Sequence, residues 1–123
     1  MRACVFAAAA AAAAAALLAG PSVAHHGWAG YQQAEFSLTG RIVSARLAGP
    51  HGLLRVRVGR ALWDVVLAPP TRNERAGLTV QAVRPGTVVT ARGHRHLNLR
   101  RLEMKTERLI VGNRTIDLYP DRS

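Results

Sequence analysis

The five histidines are the first chemistry this 123-residue chain offers. His25 and His26 stand side by side in "AHHGW", His51 lies in "AGPHG", and His94 and His96 frame "HRH". Imidazole is the commonest protein ligand for metals. A chain beginning at His25 would join its free amine and its own Nδ1 in one chelate ring, and His26 would offer another nitrogen one residue on. Nitrogen-rich sets of this kind suit Cu(II) best among the common divalent metals. No cysteine follows residue 25, and Met104 is the only methionine there, so a Cu(I) site is disfavoured. The expected metal ligands are His25 and His26 with His51, and His94 and His96 are weaker candidates.

Whether His25 carries a free amine depends on what precedes it. Residues 1–24 have the make-up of a secretory signal peptide. Arg2 supplies the positive start, and Val5–Ala19 is an uncharged apolar run containing ten consecutive alanines. Gly20-Pro21 breaks the run, and Ser22-Val23-Ala24 provides the small-x-small pattern of a cleavage site. Fifteen apolar residues fall short of the roughly 20 needed to span a bilayer. Cleavage after Ala24 is therefore expected, leaving no transmembrane segment and a periplasmic or secreted protein. Cys4 lies ahead of the apolar run and cannot be a lipidated cysteine following it.

Residues 25–123 then suffice for one small domain, with residues 25–34 as an N-terminal arm and 35–123 as the folded unit. "EFSLTGRIVSARL", Glu35–Leu47, alternates apolar and polar residues, and its apolar phase switches after Ile42. A long strand that changes its buried face, with Gly40 near a bulge or sharp coil, is what a small barrel requires. "LLRVRV" and "ALWDVVL" flank Gly59-Arg60 as a hairpin. Thr71 and Glu74 have capping-box spacing, so Thr71 is the expected start of a two-turn helix ending at Gly77. Thr87–Gly93 is the fourth strand, roughly Leu99–Val111 the fifth, and "TIDLY" a last short one. This is the element order of an OB-like five-stranded barrel, all-β apart from one short helix and with an extra C-terminal hairpin strand. An antiparallel sandwich shares the order. The expected core is Leu38, Ile42, Leu54, Val56, Trp63, Val65, Leu67, Val89 and Leu102.

In such a barrel the β1–β2 loop holding His51 and the β4–β5 segment holding His94 and His96 flank one face. The nine residues 27–35 extend up to roughly 30 Å, enough to return the terminus to it. Trp28 and Tyr31 are expected to pack that arm onto the barrel. No nucleophile elbow, phosphate-binding glycine loop or paired carboxylates mark an enzyme, and none is expected. Sixteen basic residues follow position 25 against seven acidic, and all but Lys105 of the sixteen are arginine. Export makes nucleic acid an unlikely partner. The competing expectation is an adaptor whose arginine-rich face engages an anionic envelope component or a protein, the histidines being incidental.

Taken in order, "HHGWAGY", "LTGRIV", the turn Gly49-Pro50-His51, a tryptophan strand, "AGL" and "PGTVVTARG" resemble a family of short exported bacterial proteins known only as a domain of unknown function. The resemblance runs from about His25 to Val111. It implies export and a small β-barrel, suggests His25, His26 and His51 as site residues, and carries no activity or cofactor. Two positions depart from the family pattern. Gly49 stands where an Asn-Pro-His turn is usual, and His94-Arg95-His96 stands where a Tyr-Pro-like turn is usual.

Overall fold

A computed structural model describes residues 27–122. His25, His26 and the whole leader lie outside the described residues. Six strands follow in chain order: β1 (Phe36–Arg46), β2 (Leu53–Val58), β3 (Ala61–Val66), β4 (Val88–Arg95), β5 (Glu103–Val111) and β6 (Arg114–Asp117). One helix, α1 (Pro70–Arg75), sits between β3 and β4.

The expected change of face in β1 is how the barrel closes. Its first half, Phe36–Arg41, pairs with β4, and its second half, Arg41–Arg46, pairs with β2, with a bulge between Ile42 and Ser44. Gly40 stands just before the handover. A Cβ there would lie 2.3 Å from the Arg57 carbonyl oxygen, so the strand can coil this tightly only because the side chain is missing. β2 pairs with β3, and β3 meets β5 in parallel through Asp64↔Glu103 and Val66↔Lys105. β5 in turn pairs with β4, completing the ring and excluding the open sandwich. β6 hydrogen-bonds to β5 from outside it.

Closure leaves an interior filled by alternate residues of every strand. Leu54, Val56, Val65, Val89, Ala91, Met104 and Leu109 are wholly buried there. Eight of the nine expected core residues are buried; Leu102 is the exception, at 37% exposed. β5 begins at Glu103 rather than near Leu99, because Asn98 folds the chain first. Its side-chain oxygen accepts from Arg100 N–H, and its carbonyl accepts from Arg101 N–H. Leu99 and Leu102 thus belong to a turn.

The capping box does not form. α1 starts at Pro70 with Pro69 in the N-cap position and no side-chain cap. Proline has no N–H to satisfy in the first turn and its φ is already helical, so a capping hydroxyl is dispensable. Asn73 ties the segment down instead. Its amide accepts from Ala68 N–H at 3.1 Å and donates to the Ala68 carbonyl at 2.7 Å. Gly77 ends the helix as expected, at φ +85°.

Candidate functional site

The outer face of β5 presents Glu103, Lys105 and Glu107, alternate residues that would ordinarily point into solvent. All three are buried. Residues 27–31 lie over them. The Gly27 carbonyl accepts from Lys105 Nζ at 2.5 Å, and Tyr31 OH donates to Glu103 Oε1 at 2.6 Å. Tyr31 also makes an isolated antiparallel bridge to His96. Trp28 packs edge-on against His94 and Tyr119, with Lys105 Nζ 4.7 Å and the Arg122 guanidinium 4.0 Å from its ring. Trp28 and Tyr31 thus pack onto the barrel as expected, and residues 118–122 fold onto the same strand.

This arrangement consumes two of the histidines. His94 belongs to β4 rather than to a loop, and it is buried. Its Nδ1 lies 3.1 Å from the Ala34 carbonyl and its Nε2 2.7 Å from Glu107 Oε1. Burial and two ring partners make it a strut between β4, β5 and the arm. His96 faces the Tyr31 ring, and its Nδ1 accepts from Asn98 N–H. Neither is brought to His51.

His51 stands apart, in the β1–β2 loop. It borders a cavity of about 280 Å³ on the outer surface of β3, walled by Arg46, His51, Asp64, Val66, Arg101 and Glu103. Both loops expected to flank one face thus reach it, His51 from the first and Arg101 from the second. Among the described residues no hydrogen bond engages the His51 ring. Burial, and then the charge of Lys105, pull its pKa below the ordinary histidine value, favouring the neutral imidazole that a metal requires. Lys105 is also the residue that holds Gly27. Asp64 is paired outward with Arg55, and Glu103 with Arg101. Among the described residues no three His, Cys, Asp or Glu side chains are gathered for a metal ion. A larger cavity of about 400 Å³, between α1 and the segment after β6, is lined by Arg72, Arg75, Asp117 and Leu118 and has no histidine.

The arm leaves a titration signature. Burial raises the pKa of both tyrosines above the ordinary 10, and for Tyr31 the hydrogen bond to Glu103 adds to it. A pKa raised on folding contributes stability below the unfolded value and loses it as pH climbs through the folded one. Phenolate absorbance of the native protein is expected to stay flat around pH 10 and to appear together with alkaline unfolding. The denatured chain should titrate there normally. A native phenolate step near pH 10 would mean that the arm is not seated.

The architecture defines a closed OB-like barrel, and solved structures agree. The S. pombe Stn1-Ten1 complex matches with a TM-score of 0.53 at 15% identity, over 65% of this chain and 59% of that one. Asparaginyl-tRNA synthetase from Pyrococcus horikoshii, complexed with asparaginyl-adenylate, matches with a TM-score of 0.50 at 17% identity, over 70% of this chain and 20% of that one. At such identities the likeness is one of fold. No curated protein matches the chain. It belongs to DUF6152, a family of unknown function, which it matches over residues 9–105. Among the described residues no helix is long and apolar enough to cross a membrane.

Proposed function

We propose that the protein is an exported, non-enzymatic barrel that binds a divalent metal, copper first, through a terminus beginning at His25. The observation that carries this reading is the seating of the arm. Gly27 is held on Lys105, and Lys105 is within electrostatic reach of His51. Two residues of extended chain reach about 7 Å from Gly27, and that reach is what would let a terminus beginning at His25 approach His51. The leader makes the chelator by being removed, since amide formation with Ala24 withdraws the amine. The ring of His51, with no hydrogen bond among the described residues, is the group the fold would add.

The test is a Cu(II) titration at pH 7, against a competing chelator, of protein beginning at His25 and of protein retaining Ala24. Retention is expected to weaken binding about a hundredfold, equivalent to about 2.8 kcal/mol. His51→Ala in the free-terminus protein is expected to cost a further tenfold or so. Equal affinities with and without Ala24 would overturn the reading. A terminus effect without a His51 effect would reduce the site to the arm alone.

A further inference from the structure

The loop between β4 and β5 shows its apolar side chains to solvent. Leu97, Leu99 and Leu102 are 57%, 58% and 37% exposed, the first two among the most exposed large apolar residues described. A floppy loop would fold such residues back onto the barrel, but this one is held open. Leu97 N–H donates to the Gly30 carbonyl, Asn98 N–H to His96 Nδ1, and Arg101 N–H to the Asn98 carbonyl. Arg95 stacks on Trp63 at 4.9 Å and donates to the Leu99 carbonyl at 3.3 Å. Three leucines are thus presented on a preorganised tip, which spares the ordering cost that binding usually incurs.

The charge around that tip is of one sign. Residues 95–102 contain Arg95, Arg100 and Arg101 and no carboxylate. The parallel pairing of β3 with β5 puts the β2–β3 turn, with the exposed Arg60, at the same end of the barrel. The carboxylates nearest in sequence are already engaged, Glu103 by Arg101, Glu107 by Arg122 and, beside Arg60, Asp64 by Arg55. Arg60 and Arg100 make no ion pair among the described residues. Exposed leucines flanked by the unpaired Arg60 and Arg100 match a surface that is apolar beneath and anionic on top.

We infer that this loop docks the protein onto anionic lipid bilayers, its leucines entering the headgroup–acyl boundary while Arg100 and Arg60 meet lipid phosphates. Affinity then has two separable parts, apolar area and charge. Each arginine near an anionic leaflet contributes about fivefold, or about 1 kcal/mol. The inference stands apart from copper, because it uses neither His25 nor His51.

The experiment is co-sedimentation with vesicles of equimolar phosphatidylcholine and phosphatidylglycerol, and with phosphatidylcholine alone. The protein purified after export and its variants share one N-terminus, so whatever that end contributes cancels. The wild-type protein should bind the mixed vesicles and largely ignore the neutral ones. Leu97→Ser with Leu99→Ser should weaken binding about tenfold or more, and Arg100→Ser about fivefold. The native near-ultraviolet circular dichroism of each variant, whose changed side chains are exposed, serves as the folding control. Failure of the wild type to bind would overturn the inference. So would binding that responds to salt but not to the leucines, which is diffuse adhesion by net charge. Self-association of the wild type that the leucine variant abolishes, without vesicle binding, would instead assign the loop to a contact between copies of the chain.

Discussion

Gly93→Ala should leave the chain without a stable barrel. Gly93 sits at the irregularity where β4 shifts register against β5, and a Cβ there would stand 2.0 Å from the Lys105 carbonyl oxygen and 2.9 Å from Thr106 Cα. Both obstacles are backbone, so no rotamer change relieves the clash, and the two strands must part. β4·β5 is a closing pair of the ring, which offers no free edge to absorb the shift. A domain of this size has about 5–15 kcal/mol of stability in all, and the substitution is expected to remove at least 4 kcal/mol of it. Chemical denaturation is the direct check. A midpoint near that of the wild type would show that the pair can open without cost.

Glu107→Ala is the second large effect. Glu107 is buried on the outer face of β5, and one carboxylate oxygen accepts from His94 Nε2 at 2.7 Å and Arg122 Nε at 3.1 Å. Its backbone carbonyl accepts from the N–H groups of Leu118 and Tyr119. Removing the carboxylate strands the His94 nitrogen in a dry position and releases Arg122 from beneath Trp28. Breaking a buried pair by deleting one member costs about 3 kcal/mol. The share from Arg122, which is 36% exposed, is small. A fall in Tm on the order of 15 °C is expected. Glu107→Gln, which keeps an acceptor oxygen, should lose clearly less. Equal losses for both variants would show that charge, rather than the hydrogen bond to His94, sustains the cluster.

The barrel was legible because its signals are local. The change of apolar phase after Ile42, the hairpin at Gly59-Arg60 and the alternation in "LLRVRV" each specify a strand within a few residues. Leu102 misled because periodicity runs on through a turn that Asn98 imposes with one side chain. Thr71 misled because Pro70 does the work a cap would do. The charged face of β5 was the harder loss. Glu103, Lys105 and Glu107 alternate in "EMKTE" as a solvated side would, and only the return of residues 27–31 and of the segment around Tyr119 and Arg122 covers them. The clue was available: Trp28, Tyr31 and Tyr119 are aromatic residues placed near the ends of a chain poor in them. The expected fourth strand stops at Gly93, short of His94, because nothing local announces that the arm and the segment around Tyr119 and Arg122 would cover that ring.

The arm and the segment around Tyr119 and Arg122 meet at Trp28, and this bears on how the molecule should be handled. On the proposed copper reading an affinity tag ahead of His25 would mask the amine, and a fusion close behind Arg122 would crowd the indole from the other side. Either product would run normally on a column and fail the copper titration. The turn at Gly112, where nothing lies within 4 Å of an added Cβ, has room for a handle inserted beside the glycine, whose positive φ is then kept, and it spares both sides of Trp28.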